Sequence, residues 1–161
     1  MDLRLFHFNS RGALLDPPAL FHPNIIVGSG SMLTSTFVGK YNITHVINCA
    51  FPEHSPNWFR DRYPDKYDCI EAVDSHEISI LEWYPKFKET LDKFLRDPSS
   101  RRVYVHCQMG MNRSGFLALL YVCETFGYAL KDAILGTIKQ RPCLYQNPKF
   151  LKDVSDHLNN G

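Results

Sequence analysis

Residues Phe116 to Phe126 are apolar almost all the way round a helix, so that helix belongs in the middle of a domain and not on its surface. Upstream stands Val103 to His106, a β-branched and aromatic run that reads as a short strand. Between them lies a short loop, Cys107 to Asn112, with Gly110 inside it, and the helix opens at Arg113. A strand that feeds through a tight loop into a buried helix is a building step of α/β domains. Ligands of such folds sit beyond the carboxyl ends of the strands, which is where this loop stands.

The rest of the chain supplies the partners. Ile25-Ile26-Val27, His45 to Cys49 and Cys69 to Val73 also read as short strands. Ile80, Tyr84, Phe87, Leu91 and Phe94 recur at i, i+4, i+7, i+11 and i+14, which predicts a helix with one buried face. Ala129 to Lys139 makes another amphipathic helix, stopped by Pro142. The last helix announces its own start: Asn147 suits an N-cap, Pro148 the first helical position, and Phe150, Leu151, Val154 and Leu158 form the apolar stripe. Strands alternating with helices, then a run of helices, predict an α/β fold with a small, central, mostly parallel sheet flanked by helices. No repeat, linker or low-complexity tract divides the chain. A single domain over residues 24–161 is expected. Residues 1–23, with Asp16-Pro17-Pro18, read as an N-terminal arm laid over it or contacting a partner, a homodimer contact included.

Composition narrows function by exclusion. Of 161 residues, 18 are Lys or Arg and 17 are Asp or Glu, a formal net charge of +1, so there is no general pull toward nucleic acid or an anionic membrane. The first residues lack the basic segment and apolar core of a secretory signal, and the longest apolar run is too short to span a bilayer. The expected location is intracellular, in cytoplasm or nucleus. Five cysteines, at 49, 69, 107, 123 and 143, offer neither zinc-ligand spacing nor a disulfide framework. Cys49, Cys69, Cys123 and Cys143 sit in apolar patterns and read as small core side chains.

Cys107 keeps different company. The backbone N–H groups of Gln108, Met109, Gly110, Met111 and Asn112, with those of the next helix's first turn, can converge on an anion; Gly110 allows the tight curl. Arg113 adds a guanidinium that grips two oxygens at once, which Lys cannot imitate. The same positive field favours the thiolate of Cys107, and a thiolate facing a bound phosphate is a nucleophile aimed at phosphorus. Ser114 follows where its hydroxyl can steady that thiolate as leaving group. Asn112 can brace the loop by side-chain hydrogen bonds. His106 points to the opposite side of the strand from Cys107 and reads as a structural partner of the loop, not a base. Thiolate, guanidinium and backbone donors need no metal or cofactor.

Cleaving a phosphate ester also needs an acid for the leaving oxygen. Asp74 directly follows the Cys69 to Val73 run, so it is expected at the same sheet edge as Cys107. Ser75 and Ser79 are at hand to cap the next helix in its stead, while Glu77 and Asp68 are the fallback acids. Asp92 and Asp132 fall in helical patterns and read as solvated-face charge.

The stretch His106-Cys107-x-x-Gly110-x-x-Arg113-Ser114-Gly115 resembles the signature loop of cysteine-dependent protein tyrosine phosphatases, and the short chain resembles their small dual-specificity branch, including the compact poxvirus-type enzymes. NITHVINCA is similar to the family's second strand, AVDSHEISIL to its general-acid loop and RPCLYQNPKF to the turn into its last helix. The similarity runs from about Asn24 to about Leu158. It implies a dual-specificity phosphatase-like fold and hydrolysis of phosphotyrosine and phosphoserine or phosphothreonine in phosphorylated proteins. By the same resemblance Cys107 is the nucleophile, Asp74 the general acid, and Glu77 matches a position often acidic. A chain this short lacks room for the loops that deepen a tyrosine-specific pocket, which favours dual specificity. Phe51 to Lys66, with Trp58, Phe59, Arg60, Arg62 and Tyr63, is either a rim of the pocket or a solvated loop.

Three other readings compete. Asn112-Arg113 also resembles the signature of cysteine-dependent RNA 5′-triphosphatases, but Met109 and Ser114 stand where those carry His and Thr, and the basic surplus of an RNA groove is lacking. A non-catalytic phosphoprotein-binding module would normally have lost the Cys, the Arg or the acid. A lipid phosphatase would want Lys or Arg inside the loop, where Gln108, Met109 and Met111 stand.

Overall fold

The structure is a computed structural model that describes Leu3 and residues 9–160. One five-stranded sheet has the order β1-β2-β5-β3-β4, with β1 Ala19–His22, β2 Ile25–Ser29, β3 His45–Asn48, β4 Tyr67–Cys69 and β5 Val103–Cys107. All neighbours run parallel except β1, which pairs antiparallel with β2. The helices are α1 Ser35–Tyr41, α2 Asn57–Arg62, α3 Tyr84–Arg96, α4 Arg113–Phe126, α5 Leu130–Gln140 and α6 Pro148–Asn160. Among the described residues no helix is long and apolar enough to cross a membrane.

Alternation along the strands sorts side chains into two cores. Val103, Val105 and Cys107 of β5 join Ile25, Val27 and Ile47 on the face packed with residues of α3, α4, α5 and α6. Tyr104, Ile26 and Val46 turn the other way, onto Leu33, Ile43 and Phe59, with Phe37 and Trp58 packed against them. Every residue of α4 from Ser114 to Cys123 is buried, as its all-round apolar sequence requires. At roughly 1.5–3 kcal/mol for each large apolar side chain removed from water, α4 is the hinge of the larger core.

Several elements depart from the sequence expectations. The strand expected over Cys69 to Val73 runs over Tyr67–Cys69 instead. Glu71 takes a left-handed φ of 60°, which ends the regular ladder. The N–H groups of Ile70, Glu71 and Ala72 bond irregularly to the carbonyls of Asn48, Ala50 and Cys49. The segment Phe51 to Lys66 is not a solvated loop throughout: Phe59 is 1% exposed in the second core, and Trp58 Nε1 donates to the Leu33 carbonyl at 2.8 Å. Only its first part approaches the loop after β5, where Glu53, His54 and Ser55 share a surface recess with Leu14, Gln108 and Met109.

The boundary expected between residues 23 and 24 cuts through the β1–β2 hairpin. Ala19 and Phe21 alternate inward into the core while Leu20 stays 39% exposed, so this stretch follows strand periodicity. On its outer edge, Leu20 N donates to Gln140 Oε1 at 2.8 Å and Gln140 Nε2 donates back to Leu20 O at 3.2 Å. Of the expected arm, residues 1, 2 and 4–8 lie outside the described residues, and so does any contact they make with a second copy.

Candidate active site

The strand β5 ends at Cys107 and α4 begins at Arg113. Parallel registers Ser29↔Cys107 and Asn48↔His106 bring the carboxyl ends of β2, β3 and β5 to one edge, and the loop Gln108 to Asn112 stands on that edge. Gly110 has φ +68°, and a Cβ there would lie 2.3 Å from the Gly28 carbonyl group. No L side chain fits. The resulting curl turns the Gly110 N–H onto Cys107 Sγ at 3.2 Å. Ser114 Oγ lies 3.2 Å from the same sulfur. Cys107 is 2% exposed and Ser114 is fully buried.

His106 lies on the opposite face. Its Nδ1 donates to the Cys107 carbonyl at 2.9 Å, which leaves Nε2 to accept from Ser55 Oγ at 3.1 Å. Burial pushes the imidazole down to about 4, so the ring is neutral near pH 7 and braces the loop. Burial likewise raises the other thiols: Cys123 to about 11, Cys143 to about 12, and fully buried Cys49 well above its ordinary value.

The Asp74 carboxylate is held to this loop by two amides. Asn112 Nδ2 donates to Oδ2 at 2.9 Å and Asn147 Nδ2 donates to Oδ1 at 2.8 Å. Asn112 Oδ1 in turn accepts from the N–H groups of Gln146 and Asn147. Arg113 Nη1 donates to the Ala72 carbonyl at 3.1 Å, a second tie between the loop and the Asp74 segment. Local capping falls to the serines: Ser75 Oγ accepts from the N–H groups of Glu77 and Ile78, and Ser79 Oγ from that of Leu81. Glu77 is exposed. Asp68 is occupied elsewhere, by the Cys69 N–H and the Thr90 hydroxyl. Asp132 is exposed, but Asp92 is more than a solvated charge, since it accepts from Lys88 and from the Tyr121 hydroxyl.

Cys107, Gly110, Asn112, Ser114 and Asp74 therefore converge on one edge, with Gln108 and Met109 exposed beside them and Met111 and Arg113 half-buried. Two contributors escape a reading of the sequence. Asn147 is legible as the cap of α6, a role it fills by accepting from Phe150 N at 3.2 Å, yet its amide also donates to Asp74 and to the Ser75 carbonyl. Arg141 carries no local signal at all; its guanidinium meets the loop from behind, at the carbonyls of Met109 and Gly110. Loop N–H groups and the start of a 14-residue helix led by Arg113 follow directly on Cys107, an arrangement able to take a tetrahedral oxyanion.

Comparison with known proteins gives the family. Protein phosphatase Slingshot homolog 3 of Rattus norvegicus is 30% identical over 120 residues, which cover 73% of this chain and 17% of that protein. Serine/threonine/tyrosine-interacting protein A of Xenopus laevis is 28% identical over 120 residues, 73% of this chain and 52% of that one. The chain thus spans about half or less of these relatives' length. Among solved structures, the human tyrosine phosphatase-like serine/threonine/tyrosine-interacting protein superposes with a TM-score of 0.69 at 21% identity, over 90% of this chain and 97% of that one. The Yvh1 phosphatase domain from Chaetomium thermophilum gives 0.74 at 20% identity, over 89% and 96%. These two show a shared fold. A family model described as dual specificity phosphatase, catalytic domain, matches residues 25–160, from β2 to the end of α6, and the chain belongs to that family.

Proposed function

We propose that the protein hydrolyses phosphotyrosine and phosphoserine or phosphothreonine side chains of protein substrates through a phosphocysteine on Cys107. The seat of the sulfur carries the reading: Cys107 Sγ takes the Gly110 N–H and faces Ser114 Oγ at the mouth of α4. In the first step the thiolate attacks phosphorus, the S–P bond forms as the P–O ester bond breaks, and Asp74 gives its proton to the leaving oxygen. Arg113 and the loop N–H groups spread the charge of the transferring phosphoryl group. In the second step water attacks phosphorus, Asp74 takes the proton, and the S–P bond breaks with Ser114 donating to the departing thiolate. Inorganic phosphate leaves.

The test offers purified protein phosphotyrosine and phosphothreonine peptides beside a 5′-triphosphate RNA. Turnover of both peptides, lost in Cys107→Ser while peptide binding persists, is the expected result. Turnover of the RNA alone, or a Cys107→Ser variant that still turns over, overturns the reading. Peptide binding without turnover by the unaltered protein would make it a phosphoprotein-binding module.

A further inference from the structure

Among the described residues Arg141 is the largest fully buried side chain, and its hydrogen-bond partners are all backbone carbonyls. An arginine has five N–H donors. Here Nε meets Gly110 O at 2.9 Å, Nη1 meets Asp16 O at 2.7 Å and Pro17 O at 3.2 Å, and Nη2 meets Ala13 O at 2.8 Å and Met109 O at 2.9 Å. A cation buried against neutral acceptors alone is costly. What it holds together is the segment 13–17 on one side and the phosphate loop on the other.

The loop side has a direction. The Met109 carbonyl that accepts from Arg141 belongs to the same peptide group as the Gly110 N–H that donates to Cys107 Sγ. A single peptide therefore stands between guanidinium and sulfur, polarised so that its N–H end faces the thiol. The segment side is itself organised by a carboxylate: Asp16 accepts from Ser10 Oγ, Arg11 N and Cys143 N. All of these segment residues precede the family match, which begins at residue 25.

We propose that residues 10–17 and Arg141 form a positioning element for the catalytic loop, with Arg141 favouring the Cys107 thiolate through the Met109–Gly110 peptide. The proposal rests on reading Cys107 as the nucleophile. The titratable groups around that sulfur are Cys49 after β3, Tyr104 and His106 on β5, and Arg113 on α4. Cys49 and Tyr104 are held protonated by burial, and His106 is neutral. Arg113 is the cation on the open side and Arg141 the cation behind the peptide.

The experiment follows iodoacetamide modification of Cys107 against pH in the full chain, beside kcat and KM on a phosphopeptide. Arg141→Lys keeps the charge but loses the planar fork; it is expected to lower kcat roughly 10- to 100-fold and to move the midpoint of modification upward by about one pH unit. Asp16→Ala, which frees the segment and leaves Arg141 in place, is expected to move both in the same direction by less. Folding of each variant is checked by near-UV circular dichroism. Folded variants that keep the wild-type midpoint overturn the proposal, as does a loss of kcat that only tracks the folded fraction. Should Arg141→Lys not fold, Asp16→Ala and the milder Ser10→Ala decide by the same readout. Modification is read without substrate, so a wild-type protein inactive on every phosphopeptide would remove the proposed function and still leave this test standing.

Discussion

Asn147 donates from Nδ2 to Asp74 Oδ1 at 2.8 Å, across 73 positions of sequence, while Oδ1 of the same side chain caps α6. With Asn112 on the other oxygen, the carboxylate is aimed from two sides. This makes the proposed acid and its holders separately testable.

Asp74→Asn should remove roughly 100- to 10,000-fold of kcat on phosphoserine, whose alkoxide departs poorly, and little on an activated aryl phosphate. The falling limb of the pH–rate profile should flatten. Rates on both substrates across pH check this; an equal loss on the two, with the limb intact, would dismiss Asp74 as the acid.

Asn147→Ser keeps a capping oxygen and loses the amide that reaches Asp74 and the Ser75 carbonyl. Thermal stability should fall less than in Asn147→Ala, whereas phosphoserine turnover should fall about tenfold, the worth of one hydrogen bond to a charged group. Asn147→Ala should lose the same activity and also about 1 kcal/mol from the vacant cap. Melting curves and kcat for the pair separate the two jobs.

Arg113→Lys should be severe despite conserving charge, because a point charge replaces a planar fork and the tie to the Ala72 carbonyl goes with it. Binding of tungstate, measured by calorimetry, should weaken together with kcat. Near-wild-type values for both would mean that Arg113 does not grip the oxyanion.

Gly110→Ala meets two obstacles at once, a left-handed φ of +68° and a Cβ 2.3 Å from the Gly28 carbonyl group. The backbone strain alone costs about 1–3 kcal/mol, and relieving the contact turns the Gly110 N–H off Cys107 Sγ. Tungstate binding should be lost in a protein that remains folded by circular dichroism. Retained binding would show that the curl is not needed.

Stability should fall in mild acid through His106. Burial holds the folded imidazole at about 4 against about 6.5 in the unfolded chain, so between those values the unfolded chain binds more protons. The contribution is complete above pH 6.5 and is lost as pH falls toward 4, a span of about 3 kcal/mol. His45, also depressed by burial, acts in the same direction. Melting temperatures of wild type and His106→Asn from about pH 7.5 to about pH 5 check this, with a flatter dependence expected in the variant.

The clustering of the candidate residues is legible because it is local. Cys107, Gly110, Arg113 and Ser114 sit within one strand–loop–helix unit, and their spacing alone brings them together. Asp74 could be read from its place after a strand-like run, even though that strand ends earlier than β-branched character suggests, since nothing local forecasts the left-handed Glu71. Arg141 could not be read: its partners are carbonyls, which every residue has, and they lie 31 or more positions away. Ala19 to His22 was missed for a milder reason. Its inward alternation is only four residues long and follows two prolines.

The amide of Gln140 laid against Leu20 is, in effect, a one-residue strand. A sheet's outer rim is ordinarily an open template for the backbone of any passing chain. Here the outward N–H and C=O of Leu20 are already answered by a side chain anchored on α5. A stray strand must first evict that amide, so the sheet ends at β1 by construction.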